Sequence, residues 1–461
     1  MRTINVVAID MGSSSVRAVL GSWDGAALTR REIMRVSHEA KGNPLKWDID
    51  SIAGAARNCV AEATRILGHT PDGVGVCGWG VDFVGVDKFN TPTTPARAYR
   101  GPQGAAGRAR LSLSDWEAFE ISGVYPQDIN TIFQIAGLKD EDPKWFDATT
   151  NIEFLADWVA RDLASSAYGP FDEGADVAPW VSMGMGSTSG FLSTDRSKVV
   201  GPWDEIGVDP AIVPEIKPEL SIVNCRDGMH VIRAGSHDTA CAAYSLGPGF
   251  QGLFVSCGSW AIAGALSAAP IVTPVAFAAG LTNEATTTGS NRAQVNLPGM
   301  WLAQECRRDW LKQGWNPSYQ ELDKLTQEAV APAGTIDVNH PDLALPGSMP
   351  AKIEKLAAAE LGAKGLEPGQ ILALVHRSVA KAISDSVRQL RNLTGVSGPV
   401  AVIGGGTKDP FFVKSLQEEI GELVIGDSEA SALGNIVAQL NTLGVAARDI
   451  ASWQEQETKT I

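Results

Sequence analysis

The sequence predicts an α/β fold made of two similar halves with a cleft between them. Three observations carry this expectation: short β-branched runs that end in glycine turns, one long amphipathic helical pattern, and a hairpin early in the first half that is echoed early in the second. From the N-terminus, residues 4–9 (Ile-Asn-Val-Val-Ala-Ile) read as a buried strand. Asp10 stands at its end, Met11 to Ser15 turn, Val16 to Leu20 return as a second strand, and residues 21–25 turn again. Such a hairpin sets backbone N–H groups beside a carboxylate. Residues 73–80 form a strand that runs into a loop and continues through 81–87. The echo lies at 252–264, with Gly252 to Ser256 as strand, Cys257 to Ser259 as turn and Trp260 to Gly264 as the return. At constant offset Ser256 falls on Asp10, Gly258 on Gly12 and Leu266 on Leu20, the pattern of a duplicated fold. Leu372, Val375, Val379, Ile383, Val387 and Leu390 step at three and four along a helix spanning 369–393, which Gly395 stops. Val400 to Ile403 is a strand ending in Gly404, Gly405 and Gly406, and Ala430, Leu433, Val437 and Leu440 mark a last helix. The expected halves are residues 1–245 and 246–461.

Composition narrows the function. The 461 residues include 53 acidic and 38 basic side chains, a formal charge of −15, with 44% hydrophobic residues. That content is ordinary for a globular protein and excludes disorder. The negative field disfavours nucleic acid and anionic lipid as partners, so any anionic substrate must be held by local donors or a metal. Six cysteines without a C-x-x-C pair indicate neither a disulfide scaffold nor a zinc site. Asp10 interrupts the first apolar run and no stretch reaches the ~18 apolar residues of a membrane span, so a cytoplasmic location is expected.

Motifs narrow it further. No Gly-Lys dipeptide occurs, which removes a Walker-type phosphate loop, and no G-x-S-x-G elbow offers a hydrolase serine. Gly184 to Gly190 resembles a dinucleotide fingerprint but has one residue too many. Three features remain. In the first, Asp10 with Gly12, Ser13, Ser14 and Ser15 can face Mg²⁺ and phosphate oxygens, with Arg17 as a possible cation; the same residues also suit an ordinary turn. In the second, Asp238 lies between a strand and a helix start in Ser236-His237-Asp238-Thr239, where a carboxylate can meet a sugar hydroxyl or simply cap the helix. In the third, Gly404 to Gly406 allow close backbone approach of a ligand, or form a structural turn.

These segments, with Trp79-Gly80-Val81-Asp82-Phe83-Val84, Ser187-Thr188-Ser189-Gly190, Ser256-Cys257-Gly258-Ser259-Trp260, Gly299 to Cys306 and Glu429 to Asn435, resemble the FGGY carbohydrate kinases of the sugar kinase/actin/heat-shock ATPase superfamily. The resemblance spans essentially the whole chain and is strongest toward the rhamnulokinase and L-fuculokinase branches. It implies two ribonuclease-H-like (actin-like ATPase) domains flanking an interdomain cleft, with sugar mainly on the first and ATP mainly on the second. It implies Asp238 as catalytic base, Asp10 facing Mg²⁺ and phosphates, and His237, Gly80, Val81 and Asp82 along a ketose. Gly258 and Ser259 would meet the γ- and β-phosphates, and Gln304 and Gly404 to Gly406 the nucleotide. The implied reaction is phosphorylation of L-rhamnulose by ATP, with L-fuculose or a pentulose as the alternative, by a monomer or homodimer. Ser259 replaces the family's usual Thr and keeps the hydroxyl. Thr407-Lys408-Asp409 departs from the Ser-Gln-Asn common in rhamnulokinases and leans toward fuculokinases and xylulokinases. A sugar or nucleotide sensor without catalysis is the rival reading, and a sugar-independent ATPase the next.

Overall fold

The computed structural model describes residues 2–93, 96–165, 178–226, 228–247, 249–446, 449–450 and 459–460. The chain forms two compact units. The first comprises Met1–Phe250, Ser267–Arg292 and Ala430–Gln456; the second comprises Gln251–Leu266, Ala293–Glu429 and Glu457–Ile461. The units are thus interleaved along the sequence, and they part from the expected halves at Ser267–Arg292 and Ala430–Gln456.

In the first unit the strands are β1 (Ile4–Gly12), β2 (Ser15–Trp23), β3 (Leu28–Ser37), β4 (Gly73–Gly78), β5 (Phe83–Val86), β6 (Asn151–Phe154), β7 (Val181–Ser182), β8 (Ile216–Lys217), β9 (Ser221–Arg226) and β10 (Met229–Arg233). A six-stranded sheet runs in the order β3-β2-β1-β4-β10-β9, and β5-β6 and β7-β8 form two small ribbons. β1 is antiparallel to β2 and parallel to β4, which is parallel to β10. Its nearly unbroken apolar run follows from burial on both faces. Val7, Ile9 and Met11 pack with Ile52, Ala56, Cys59 and Val60 of the helix Ile49–Leu67, while Val6 and Ala8 pack with Ile436, Val437 and Leu440 of the helix Ala430–Thr442. The Asp48 side chain caps the first of these helices by accepting from the Ser51 N–H, and Gly68 closes it in the left-handed region at φ +73°.

The helix Ala430–Thr442 explains the interleaving, because its buried face carries amides as well as hydrocarbon. Gln439 Nε2 donates to the Val7 carbonyl at 2.9 Å and to Asn435 Oδ1 at 2.7 Å. Glycines of β4 make the room: a Cβ on Gly75 would lie 2.6 Å from Asn435 Oδ1. On the same helix, a Cβ on Gly434 would lie 1.7 Å from the Cys241 carbonyl oxygen, in the helix Asp238–Tyr244. Backbone cannot yield as a flexible side chain does. Gly434→Ala is therefore expected to destabilise the protein by about 1–3 kcal/mol and to displace the helix that begins at Asp238. Urea unfolding measures the first effect and amide hydrogen exchange in the helix Asp238–Tyr244 the second; unchanged values for both would mean that the two helices are not held at this contact.

In the chain's second half, β11 (Leu253–Cys257) and β12 (Trp260–Ser267) form the echoed hairpin, followed by β13 (Thr282–Ala285), β14 (Asn291–Pro298), β15 (Val400–Ile403), β16 (Leu423–Ile425) and β17 (Lys459–Thr460). The second unit's sheet has the order β14-β12-β11-β15-β16-β17. β11 is antiparallel to β12 and parallel to β15, the arrangement that β1 has with β2 and β4. The long helical pattern forms the helix Pro368–Thr394, closed by Gly395 at φ +71°.

Candidate active site

The first unit gathers its chemistry at one end of β1, β4 and β10. Asp10 lies opposite Arg17 on β2 and level with Cys77 on β4. Arg17 Nε and Nη2 donate to Asp10 Oδ2 at 3.0 and 2.6 Å, so the expected cation is paired with the expected metal-facing carboxylate. Among the described residues, Asp10 Oδ1 meets the weak donor Cys77 Sγ, at 3.9 Å. Among the described residues no three His, Cys, Asp or Glu side chains gather as a metal-holding group. A sparse donor set suits Mg²⁺, which commonly takes one or two carboxylates and completes its shell with water and substrate phosphates. Asp10, whose Oδ1 meets a weak donor, fits.

The segment after β10 brings Asp238 alongside. The Gly78 N–H donates to the Ser236 carbonyl at 2.9 Å, and Gly78 bridges His237 in parallel. Glu219, buried, holds the turn by accepting from the Gly235 N–H at 3.2 Å and from the Gly184 N–H at 3.0 Å. His237 is the N-cap position and Asp238 the first residue of the helix Asp238–Tyr244. The Asp238 side chain remains 31% exposed, and Thr239 Oγ1 donates to its Oδ1 at 3.1 Å. Burial pushes the Asp238 carboxyl up to about 7, with the negative charge of Asp10 as the second cause. A carboxylate at that value is matched to proton transfer near neutrality.

Gly80 and Val81 border the same place. A Cβ on Gly80 would come within 2.7 Å of Thr188 Oγ1 and 3.2 Å of His237 Cδ2, so only glycine fits between them. Val81 has φ +69°, rare for a β-branched residue, and the Asp82 N–H closes a tight turn around it onto the Gly80 carbonyl at 2.9 Å. Thr131 Oγ1 and Gln134 Nε2 hold the Val81 carbonyl at 2.8 and 3.2 Å, which keeps the strained turn in place. Asp82 does not join its neighbours. It is fully buried, and its Oδ2 accepts from the indole N–H groups of Trp47 and Trp79 at 2.6 and 2.9 Å, so it anchors tryptophans behind the turn.

Two residues absent from the sequence-derived set complete this region. Arg292, with no exposed surface, donates from Nη2 to His237 Nδ1 at 2.7 Å and to Glu284 Oε2 at 2.5 Å. Burial and the Arg292 charge hold the His237 ring well below its ordinary range, so it is neutral. The only sequence signal was the charged pair Glu284 and Arg292 on strand-like segments with otherwise small residues.

In the second unit the parallel pairing of Ser256 with Ile403 brings the β11–β12 turn beside the triple glycine. The Ser259 carbonyl accepts from the Gly299 and Trp301 N–H groups at 3.1 and 3.0 Å, the Gly258 carbonyl from Met300 at 2.9 Å, and Ser259 Oγ donates to Gln304 Oε1 at 2.9 Å. Gly404 and Gly406 wrap Cys257: a Cβ on either would meet it at 3.0 and 2.9 Å. The expected Gly258, Ser259, Gln304 and Gly404 to Gly406 therefore lie together. Lys408 pairs with Glu429 at 2.8 Å, and Asp409 caps the helix Pro410–Ile420 by accepting from the Phe412 N–H. The Gly184 region is no cofactor loop. Its Ser187, Thr188 and Ser189 hydroxyls fold back onto the carbonyls of Gly184, Met185 and Gly186.

Both parts of the chain match a family of known proteins. Residues 5–171 match the N-terminal domain, and residues 253–443 the C-terminal domain, of the FGGY family of carbohydrate kinases. The chain is 25% identical to a rhamnulokinase of Oceanobacillus iheyensis over 448 residues, 94% of this chain and 92% of that protein. It is 25% identical to a rhamnulokinase of Halalkalibacterium halodurans over 459 residues, 95% of this chain and 93% of that one. The fold is shared with the ligand-bound xylulose kinase from Lactobacillus acidophilus, at TM-score 0.76 and 12% identity over 99% of this chain and 92% of that one. It is shared also with Plasmodium falciparum glycerol kinase with ADP, at TM-score 0.75 and 13% identity over 99% and 94%. Among the described residues no helix is long and apolar enough to cross a membrane. With family domains matched in both parts of its length, the chain belongs to the FGGY family of carbohydrate kinases, phosphotransferases that draw on ATP to phosphorylate a sugar.

Proposed function

We propose that the chain transfers the γ-phosphoryl group of ATP to the primary hydroxyl of a ketose, L-rhamnulose giving L-rhamnulose 1-phosphate, with Asp238 as the base. The carrying observation is the Asp238 carboxyl: partly exposed at a helix start, raised to about 7, and adjoining His237. Asp238 orients the hydroxyl and accepts its proton late, as the new bond to phosphorus forms. Gly80, Val81 and His237 flank the sugar, and the rigid turn at Val81 fixes one wall. Asp10 would hold Mg²⁺, oriented by the two-point contact from Arg17; when bound, the metal neutralises triphosphate charge. The N–H groups of Gly12 to Ser15 and of Ser259 are proposed for the phosphates, with Gly258, whose own N–H donates to the Trp260 carbonyl at 2.8 Å, giving them room to approach, and with Gln304 and Gly404 to Gly406 on the nucleotide. A Cβ on Gly12, Gly258 or Gly405 would meet nothing closer than 3.6 Å, so packing alone does not demand glycine there, and the space supports close approach of a ligand.

The rhamnulokinase relatives favour L-rhamnulose, and the Thr407-Lys408-Asp409 sequence favours the second reading, L-fuculose or a pentulose. A coupled ADP assay in the presence of Mg²⁺ across L-rhamnulose, L-fuculose, L-ribulose, D-xylulose and D-ribulose separates them. The highest kcat/KM is expected on L-rhamnulose; a higher value on another ketose selects the second reading, and ATP turnover indifferent to every sugar overturns both.

A further inference from the structure

We infer that Arg292 is a positioning residue for sugar recognition: backed by Glu284, it holds His237 as the neutral Nε2–H tautomer and so presents that N–H as a donor beside the Asp238 carboxylate. The argument begins with donor chemistry. A guanidinium carries five N–H donors, no acceptor, and a charge that does not titrate in a protein. Its Nη2 lies 2.7 Å from His237 Nδ1, so Nδ1 must offer its lone pair, and a neutral imidazole then carries its hydrogen on Nε2. The guanidinium is itself held further by Glu284 Oε2 at 2.5 Å and by the Ala285 carbonyl, which accepts from Nε at 3.1 Å. With no exposed surface on Arg292, water does not compete for the contact.

His237 Nε2 lies 3.8 Å from Asp238 Oδ1. That is too long for a hydrogen bond between them, and short enough for one small hydroxylated ligand to meet both. The donor and the carboxylate are complementary: an oxygen that accepts from Nε2–H and a neighbouring hydroxyl that donates to Asp238 describe a carbonyl or ether oxygen next to an alcohol. In the opposite tautomer both faces would be acceptors, and an oxygen without a hydrogen would find no donor there. The ligand assigned to the pair rests on the ketose-kinase reading above; the tautomer does not.

Two readouts test this on the full-length protein. The first is ¹⁵N NMR of its histidines, with the His237 signals identified by their loss in His237→Gln. Protonated Nε2 and bare Nδ1 are expected at neutral pH, and Arg292→Met is expected to abolish that single state. A wild-type Nδ1–H tautomer, or one indifferent to Arg292→Met, overturns the inference. The second is kinetic. Arg292→Met is expected to raise the ketose KM about tenfold while the ATP KM stays within about twofold, and Arg292→Lys, which keeps a donor and a charge, to recover part of it. In a His237→Gln background Arg292→Met should add nothing further to the ketose KM; an additive effect would assign Arg292 a purely structural role. Should Arg292→Met fail to fold, the wild-type NMR and Arg292→Lys decide. A chain that phosphorylates no ketose yet keeps an Arg292-dependent tautomer overturns the proposed function and leaves the tautomer lock. A ketose kinase whose His237 ignores Arg292 does the reverse.

Discussion

Replacing Asp238 by Asn is expected to lower kcat by about two to four decades while nucleotide affinity changes less than about twofold. Asn keeps the size and the ability to accept the Thr239 hydroxyl, so the helix start stays intact and only the proton acceptor is lost. A positioned general base is worth about 10²–10⁴ in rate, roughly 3–5 kcal/mol, whereas positioning of bound reactants supplies roughly 7–11 kcal/mol and survives the change. Residual turnover should therefore be measurable in a coupled ADP assay. The wild-type pH profile gives an independent reading of the same group. Its folded value of about 7 lies above the ordinary carboxylate range, so the acid form accumulates as pH falls through neutrality, and kcat/KM for the sugar should fall with it. A variant with near-wild-type turnover would remove Asp238 as base.

The second large effect is expected at Asp10. Asp10→Asn should reduce kcat/KM for MgATP by about 10²-fold or more and raise the Mg²⁺ concentration needed for half activation, because the carboxylate charge that would face the metal is gone. A second consequence follows from its nearness to Asp238. The charge of Asp10 is the second cause, after burial, that raises the Asp238 carboxyl. Removing it should move the acid limb of the sugar kcat/KM profile to lower pH. Loss of a merely structural partner of Arg17 would weaken folding and move that limb equally, without changing the Mg²⁺ requirement, so the two explanations part on the Mg²⁺ titration. An unaltered Mg²⁺ requirement would strip Asp10 of its assigned role.

Much of this architecture was legible in the sequence because burial on two faces leaves a strong mark. β1 carries apolar residues at both parities, and the helix Pro368–Thr394 carries them at three and four with a glycine stop. The turn glycines and Ser259 were legible because they sit directly after strands. What was hidden depends on distance. Arg292 is 55 residues from His237, and no local spacing points from one to the other. Asp82 sits between two residues with proposed ligand contacts and a core phenylalanine, and sequence alone does not tell which way its carboxyl faces; the indoles of Trp47 and Trp79 claim it. The glycines of β4 read as a strand end, whereas Gly75 makes room for an amide from the far end of the chain.

That last feature bears on how the protein is born. The face of β1 and β4 that receives Asn435 and Gln439 is synthesised long before its cover, since Gln439 follows Val7 by 432 residues. The first unit therefore keeps one side of its sheet wet until Gln251–Leu266 and Ala293–Glu429 of the second unit have been made.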